Sequence, residues 1–233
     1  MATATAQTAS HTETRRVPLP DGRVLSVDVT VGDVQVAVWD QPDAEIVIER
    51  TAPDPAALSG LPVEVKETDD AVRVVVTQPD GRTDPGLTST VRLTVPATAE
   101  IEHVQILEGQ LTVRGLEGAI RADVRRGGID AEDIGGQVRF ETGIGDLDVR
   151  RPHLREGGLL RLRAFNGDIR LAFDGAPPDA RIMALALNGT ITSDIPLHTK
   201  DRWGPRWGEA TLGAGRPVVS LDIITGVIAI RTK

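Results

Sequence analysis

Three arginines recur at matching positions of a repeated pattern and could bind an anion. Arg121, Arg139 and Arg161 lie 18 and 22 residues apart, each between two apolar residues. If the equivalent segments pair as neighbouring strands, these side chains stand about 4.8 Å apart, where like charges repel. Asp123 and Glu141, two residues further along, can compensate that repulsion. We favour a salt-bridged outer face, and the alternative is a site for an acidic sugar or a phosphate.

Aspartates occupy a second set of matching positions. Asp130 and Asp148 share one position of the pattern, and Asp146 and Asp168 share another. A calcium ion needs several oxygen ligands, but the nonapeptide period of calcium-binding glycine-aspartate repeats is missing. Two carboxylates about 5–9.5 Å apart could also serve a glycosidase. We favour a solvated acidic face and predict no metal, no cofactor and no catalytic residue.

The remaining residues that could do chemistry form no motif. The four histidines, His11, His103, His153 and His198, never occur at ligand spacing. The sequence contains no Gly-x-Ser-x-Gly element, phosphate loop or dinucleotide-binding fingerprint. We therefore predict that the protein is not an enzyme.

Composition restricts the partners and the compartment. The net charge of −8 disfavours nucleic acid and anionic membranes as partners of the whole surface. Cysteine is absent, so disulfides and thiolate chemistry are excluded. No apolar run reaches the ~20 residues of a membrane span, and the first residues lack the apolar core of a secretion signal. We expect a soluble, cytoplasmic protein, with association with the cell envelope as the alternative.

A glycine followed by alternating apolar residues recurs through the second half of the chain and would position these side chains. Each glycine is also preceded by a second alternating run, which indicates two strands with one face buried. The glycine suits a corner that needs positive φ or a close backbone approach. We predict an all-β fold, a parallel β-solenoid of successive coils of about 18–22 residues, with a β-sandwich as the alternative. The copies begin at Gly109, Gly127, Gly145, Gly167, Gly189 and Gly226.

The chain divides by the regularity of this pattern. Residues 1–16 are rich in Thr, Ala and Ser without periodicity, which predicts a disordered tail. Residues 17–97 predict a less regular β-region that leads into the solenoid, and residues 98–233 predict the solenoid itself. The longest interruption, residues 194–216, contains two tryptophans and is expected to protrude from the coils.

The glycine pattern resembles a widespread bacterial family of repeat proteins of uncharacterised function, labelled "putative adhesin". The resemblance is carried by FNGDIRL (165–171), LNGTITSDIPL (187–197) and TGVIAIRTK (225–233). It implies that the solenoid is right-handed and that the protein is bacterial. The family offers no catalytic residue to carry over.

An apolar outer surface is expected near the end of the chain. Met183 and Leu185 occupy outward positions of their strand, where solvent-facing strands are normally polar. Trp203 and Trp207, with Arg206 between them, lie in the nearby insertion and can cover that surface. We favour an internal cap, because bare strand edges invite pairing with other chains. The alternatives are an oligomer or partner contact and a platform on which sugars stack.

These observations favour a non-enzymatic scaffold or binding module, adhesin-like in type, for a protein or glycan partner. The first alternative is a self-associating structural protein that forms a homo-oligomer through its C-terminal coils. The second alternative is a carbohydrate-active enzyme that uses Asp146 and Asp168 on a solenoid.

Overall fold

The computed structural model describes residues 8–78, 83–84, 86–177, 179–199 and 204–232. This part of the chain is all-β, with 18 strands in one large mixed sheet, a single 3-10 helix and no α-helix. Within the same ranges, no helix has the length and apolar character to cross a bilayer.

The strands differ widely in length, and the longest cross a corner of the fold. The 3-10 helix (Ala57–Gly60) lies between β3 and β4. In chain order the strands are β1 (Ala9–Pro18), β2 (Val24–Trp39), β3 (Asp43–Ala52), β4 (Val63–Glu67), β5 (Ala71–Val76), β6 (Thr88–Pro96), β7 (Glu100–Glu108), β8 (Leu111–Arg114), β9 (Ile120–Arg126), β10 (Ile129–Glu132), β11 (Gln137–Ile144), β12 (Leu147–Arg150), β13 (Leu159–Asn166), β14 (Ile169–Phe173), β15 (Ala180–Ser193), β16 (His198–Thr199), β17 (Arg206–Leu212) and β18 (Val218–Thr232).

Side chains alternate between the core and solvent, as the period of two predicts. In β13, Leu160, Leu162 and Ala164 are buried, whereas Arg161 between them is exposed. The core is lined mainly by Val, Leu, Ile and Ala from both strands around each glycine corner. Thr142 also occupies a core position, where its hydroxyl donates a hydrogen bond to the backbone oxygen of Gly127 at 2.9 Å. This bond compensates the burial of the hydroxyl.

The fold is built from a repeated unit, which consists of a strand, a corner and a second strand. Neighbouring units pair in parallel with matched residues. Phe140 in β11 pairs with Ala122 in β9 and with Leu162 in β13. The second strands follow the same order, because Leu147 in β12 pairs with Ile129 in β10 and Ile169 in β14. Equivalent side chains are therefore neighbours across strands.

Glycines at the corners form a column through the units. The column starts at Gly32. A Cβ atom on each later glycine would lie between 1.7 and 2.1 Å from the backbone oxygen of the glycine before it in the column. No side chain fits at that distance, so the close approach explains the recurring glycine. In order of their pairing, the glycines of this column are Gly32, Gly109, Gly127, Gly145, Gly167, Gly226 and Gly189.

The order of the units differs from their order in the chain, which corrects the expectation of successive coils. β18 lies between the β13–β14 unit and β15, since Leu221 pairs with both Leu162 and Ala184. β2 is likewise enclosed, with β5 and β6 on one side and β7 and β8 on the other. The alternating apolar pattern is the same in every unit, so each could pair with several others.

Antiparallel strands continue the sheet beyond the parallel units at both ends. β4 pairs with β5, and β3 pairs with β6. β1 pairs with β3 from Ala9 to Pro18, so the prediction of a disordered tail is wrong for residues 9–16, and residues 1–7 lie outside the described ranges. Threonines suit a half-exposed edge strand, and the buried Val17 anchors the strand to the core.

Candidate functional site

The three arginines predicted to share one face do lie side by side. Arg139 in β11 pairs with Arg121 in β9 and with Arg161 in β13. All three side chains are exposed, because the residues before and after each of them point into the core. We call these residues the arginine row. They line a shallow groove of about 400 Å³ together with Ala122, Asp123, Phe140, Glu141 and Arg163.

No residue of the described chain forms an ion pair or a hydrogen bond with the guanidinium groups of the arginine row. The carboxylate of Glu141 lies 3.9 Å from the guanidinium of Arg163, and Asp123 forms no ion pair in the described ranges. The expectation of a salt-bridged face is therefore wrong. Residues two apart on one strand are separated by about 6.6 Å, whereas residues paired across strands are closer. Glu141 is the cross-strand neighbour of Arg163, so its carboxylate lies near Arg163 and forms no ion pair with the arginine row.

Three neighbouring cations thus lack a carboxylate partner in the described chain, on a protein whose net charge is −8. At the strand spacing of about 4.8 Å they repel one another. The planar guanidinium donates parallel hydrogen bonds to carboxylates, sulfates or phosphates. An anion bound across the row would both remove the repulsion and occupy these donors.

An aromatic side chain that the sequence did not single out lies beside Arg163, one of the residues that line the groove. The guanidinium of Arg163 lies 5.1 Å from the centre of the Phe165 ring, within the range of a cation–π contact. Arg161, Arg163 and Phe165 occupy alternate positions of β13 and therefore face the same side. Their spacing of two residues was the signal in the sequence that places them beside the row.

Arginines on the second strands of the units show the opposite behaviour, because each has acidic partners. Arg150 contacts Asp130 at 2.7 Å and Asp148 at 3.1 Å. Arg114 contacts Asp130 at 2.9 Å. Partial burial opposes ionisation of Asp130, but the hydrogen bonds from Arg114 and Arg150 outweigh it and lower the pKa of Asp130. This face is neutralised within the protein.

The second aspartate pair has a structural role. Asp146 accepts a hydrogen bond from the backbone amide of Asp168 at 2.9 Å, and Asp168 accepts one from the amide of Val227 at 2.9 Å. Arg170 pairs with Asp146 at 2.9 Å and with Asp168 at 3.0 Å. The bond from the Asp168 amide, together with the charge of Arg170, lowers the pKa of Asp146. Asp146 therefore stays ionised and is poorly suited to act as a general acid.

The histidines are dispersed over the fold. Nδ1 of His11 lies 3.0 Å from the guanidinium of Arg50, and Nδ1 of His153 lies 2.5 Å from the carboxylate of Glu117. His103 is half-buried in β7. Across the described ranges, no three His, Asp or Glu residues are grouped so that they could hold a metal ion.

The insertion contributes an edge strand beside the last unit. β17 pairs antiparallel with β15, with Trp207 opposite Leu185 and Arg206 opposite Ala186. Met183 and Leu185 are half-buried, and β16 adds a short further strand beyond β17. Trp203 lies outside the described residues.

No family model matches the chain, and no curated protein matches it. A crystal structure described as a "putative cell adhesion protein" from Clostridium sporogenes has a TM-score of 0.54 at 11% identity, covering 97% of this chain and 100% of its own. A "putative adhesin" from Bacteroides fragilis has a TM-score of 0.37 at 12% identity, covering 96% of this chain and 97% of its own. A "putative lipid binding protein" from Parabacteroides distasonis has a TM-score of 0.31 at 10% identity, covering 95% and 96%.

The first of these likenesses supports a shared all-β fold. It agrees with the resemblance to adhesin-type repeat proteins that the glycine pattern carries. At 11% identity the likeness concerns the fold alone.

Proposed function

We propose that this protein is a non-enzymatic binding module that holds an anionic ligand on its arginine row. The observation that carries the proposal is that Arg121, Arg139 and Arg161 are paired in register and lack any acidic partner in the described chain. The paired arginines of the second strands provide an internal comparison, since there each cation is neutralised by aspartates. A binding surface needs unused donors, and within the described residues only the row offers them in a contiguous set.

The scaffold in this proposal is a right-handed parallel β-solenoid, with each unit forming one coil. Parallel pairing of units 18 and 22 residues apart supports it, as does the column of corner glycines. A β-sandwich of the immunoglobulin type would pair its strands antiparallel. Stacked coils are rigid, so they would hold the arginines at a fixed spacing.

Two further observations support a binding role without catalysis. The carboxylates that could serve a glycosidase, Asp146 and Asp168, are hydrogen-bonded to backbone amides and to Arg170. A solved structure with a similar fold is described as a "putative cell adhesion protein", and cell adhesion is a binding function. The proposal therefore includes an adhesin-like role for this chain.

The direct test compares anionic with neutral polymers. The intact protein should bind immobilised dextran sulfate or polygalacturonate but not neutral dextran, and binding should weaken as salt is added. Arg139→Gln should reduce binding strongly, because it removes the central cation of the row. Arg170→Gln is the matched control, because Arg170 lies on a second strand of the units and its charge is neutralised by Asp146 and Asp168. Binding that is equal in the two variants, or absent for every anion, would contradict the proposal.

Self-association through the C-terminal units is a second candidate function, favoured by exposed apolar side chains beside the glycine corners. Ile144 is 57% exposed, Phe165 37%, Leu187 44% and Val227 36%. Exposed apolar residues that cluster are typical of contact surfaces. This candidate would use the corner of the fold, whereas the arginine row lies on the strands before it.

A further inference from the structure

We infer that the ligand of the arginine row is a linear polysaccharide of uronic acids that lies across β9, β11 and β13. The inference rests on the proposed binding function and specifies its ligand class. It follows from the spacing of the charges, the mixture of polar groups in the groove and an aromatic ring near the groove on β13.

The spacing of the cations favours a ligand whose charges are also repeated along a line. Arg121, Arg139 and Arg161 project from three neighbouring strands, so the row extends over about 10 Å at the usual strand spacing. A chain of uronic acids carries one carboxylate on each sugar. Each carboxylate can accept two parallel hydrogen bonds from a guanidinium. Such a chain would run perpendicular to the strands and engage the arginines one after another.

The carboxylates beside the row distinguish a sugar acid from a polymer of phosphates. Asp123 and Glu141 are paired across strands in the same groove, two residues along from Arg121 and Arg139. Asp123 has no ion pair in the described chain, so its oxygens can accept hydrogen bonds. Sugar hydroxyls are donors that fit these acceptors. Both carboxylates repel every anion, so a chain of phosphates without hydroxyl donors beside its charges would meet the same repulsion and gain no hydrogen bond in return.

An aromatic ring near the groove fits the apolar face of a pyranose ring. Phe165 lies on β13 beyond Arg161 and Arg163, and part of its ring remains exposed although Arg163 contacts it. Aromatic rings pack well against flat apolar surfaces that carry polar groups at their edges. The cations lie across the strands, whereas the ring lies about 13 Å from Arg161 along β13, so the sugar that packs on the ring belongs to a part of the chain that turns from the row along this strand.

The test uses oligogalacturonates of one, three and six sugars, titrated into the intact protein. We expect affinity to rise from one to three sugars and to change little from three to six, because three arginines are engaged. Arg139→Gln should weaken binding of the six-sugar chain by about tenfold or more, as expected for one charge-assisted hydrogen-bonded contact. A fully methyl-esterified six-sugar chain, which has no charge, should not bind.

Asp123→Asn separates the sugar from other polyanions. It removes a charged acceptor together with a repulsive charge, so it should lower the affinity for oligogalacturonate relative to that for dextran sulfate or a single-stranded oligonucleotide. An unchanged ratio of affinities would show that Asp123 accepts no hydrogen bond from the sugar. Unchanged thermal unfolding of both variants would show that the fold is intact.

The possible failures of the two proposals differ. If dextran sulfate, inorganic phosphate or the oligonucleotide binds in an Arg139-dependent manner and oligogalacturonate does not, the anion-binding function stands and the inference of a uronic acid chain is overturned. If affinity for oligogalacturonate is the same for one and six sugars, the extended binding mode is wrong. If none of these anions binds, both the function and the inference fail.

Discussion

Gly145 lies so close to Gly127 of the neighbouring unit that a Cβ atom on Gly145 would stand 1.9 Å from the backbone oxygen of Gly127. The φ of Gly145 is also positive, at 147°. Two independent constraints therefore require glycine at the corner. The same contact recurs through the column, so the units are held at a distance that only a residue without a side chain permits.

The first prediction concerns that corner. Gly145→Ala should destabilise the protein by more than the ~1–2 kcal/mol typical of an unfavourable positive φ, because the methyl group would also overlap a backbone oxygen. Gly157→Ala is the matched control, since Gly157 has a φ of 78° but no atom within 4 Å of its Cβ position. Urea unfolding of both variants measures the difference. Equal losses of unfolding free energy in the two variants would mean that the close approach of Gly145 to Gly127 adds nothing to the cost of the substitution.

The second prediction tests the inside and outside of β13. Leu162 is fully buried, so Leu162→Asp places a charge in the core and should cost several kcal/mol or prevent folding. Arg161 is exposed and lacks an acidic partner in the described chain, so Arg161→Ala should change stability by less than ~0.5 kcal/mol. Circular dichroism and urea unfolding report both changes. Similar damage from the two substitutions would show that the assignment of faces is wrong.

The third prediction is a dependence on pH. The pKa of Asp146 is lowered in the folded protein, so the unfolded chain takes up a proton first as the solution becomes acidic. The stabilising contribution of Asp146 is therefore complete above the unfolded pKa of about 3.9 and is lost as the pH falls through the folded pKa. Asp146→Asn keeps an oxygen for the Asp168 amide but cannot ionise.

Stability should consequently fall less steeply in Asp146→Asn than in the original protein below about pH 4. Urea midpoints measured from about pH 6 to about pH 2.5 would show this as a shallower slope. Parallel slopes for the two proteins would mean that the ionised form of Asp146 gains nothing from Arg170 and the backbone amide.

The fourth prediction addresses self-association. If the exposed side chains beside the corners form a contact between copies, the mass measured by light scattering should rise with concentration. Leu187→Ser and Ile144→Ser should each reduce that rise, because they remove exposed apolar surface. Arg139→Gln should leave it unchanged. A single monomeric mass at all concentrations would rule out the second candidate function.

The sequence was sufficient to predict the local features of the units but not their neighbours. The alternation around Leu162 and the glycine at each corner were both readable, because each depends on residues close in the chain. The pairing of Leu221 with both Leu162 and Ala184 was not readable. The apolar pattern of β18 would fit beside any unit, so nothing local selects its position.

The candidate site was predictable in the same partial way. The shared position of the arginine row follows from the repeat. The lack of acidic partners for the row in the described chain does not follow from the repeat. The register of the next strand places Arg163 opposite Glu141, and this decides the partner of Glu141. The strand at residues 9–16 was missed since its polar sequence shows no periodicity, and its formation depends on the edge of β3.

The enclosed position of β18 has a consequence for how the chain is made. During translation, β13, β14 and β15 leave the ribosome before β18, yet they can reach their final arrangement only with β18 between them. A nascent chain that stops short of residue 218 would leave two facing strand edges open to each other or to a foreign strand. Synthesis of β18 thus acts as the step that closes this part of the molecule, and products that stop before it should be aggregation-prone instead of being smaller working versions of the protein.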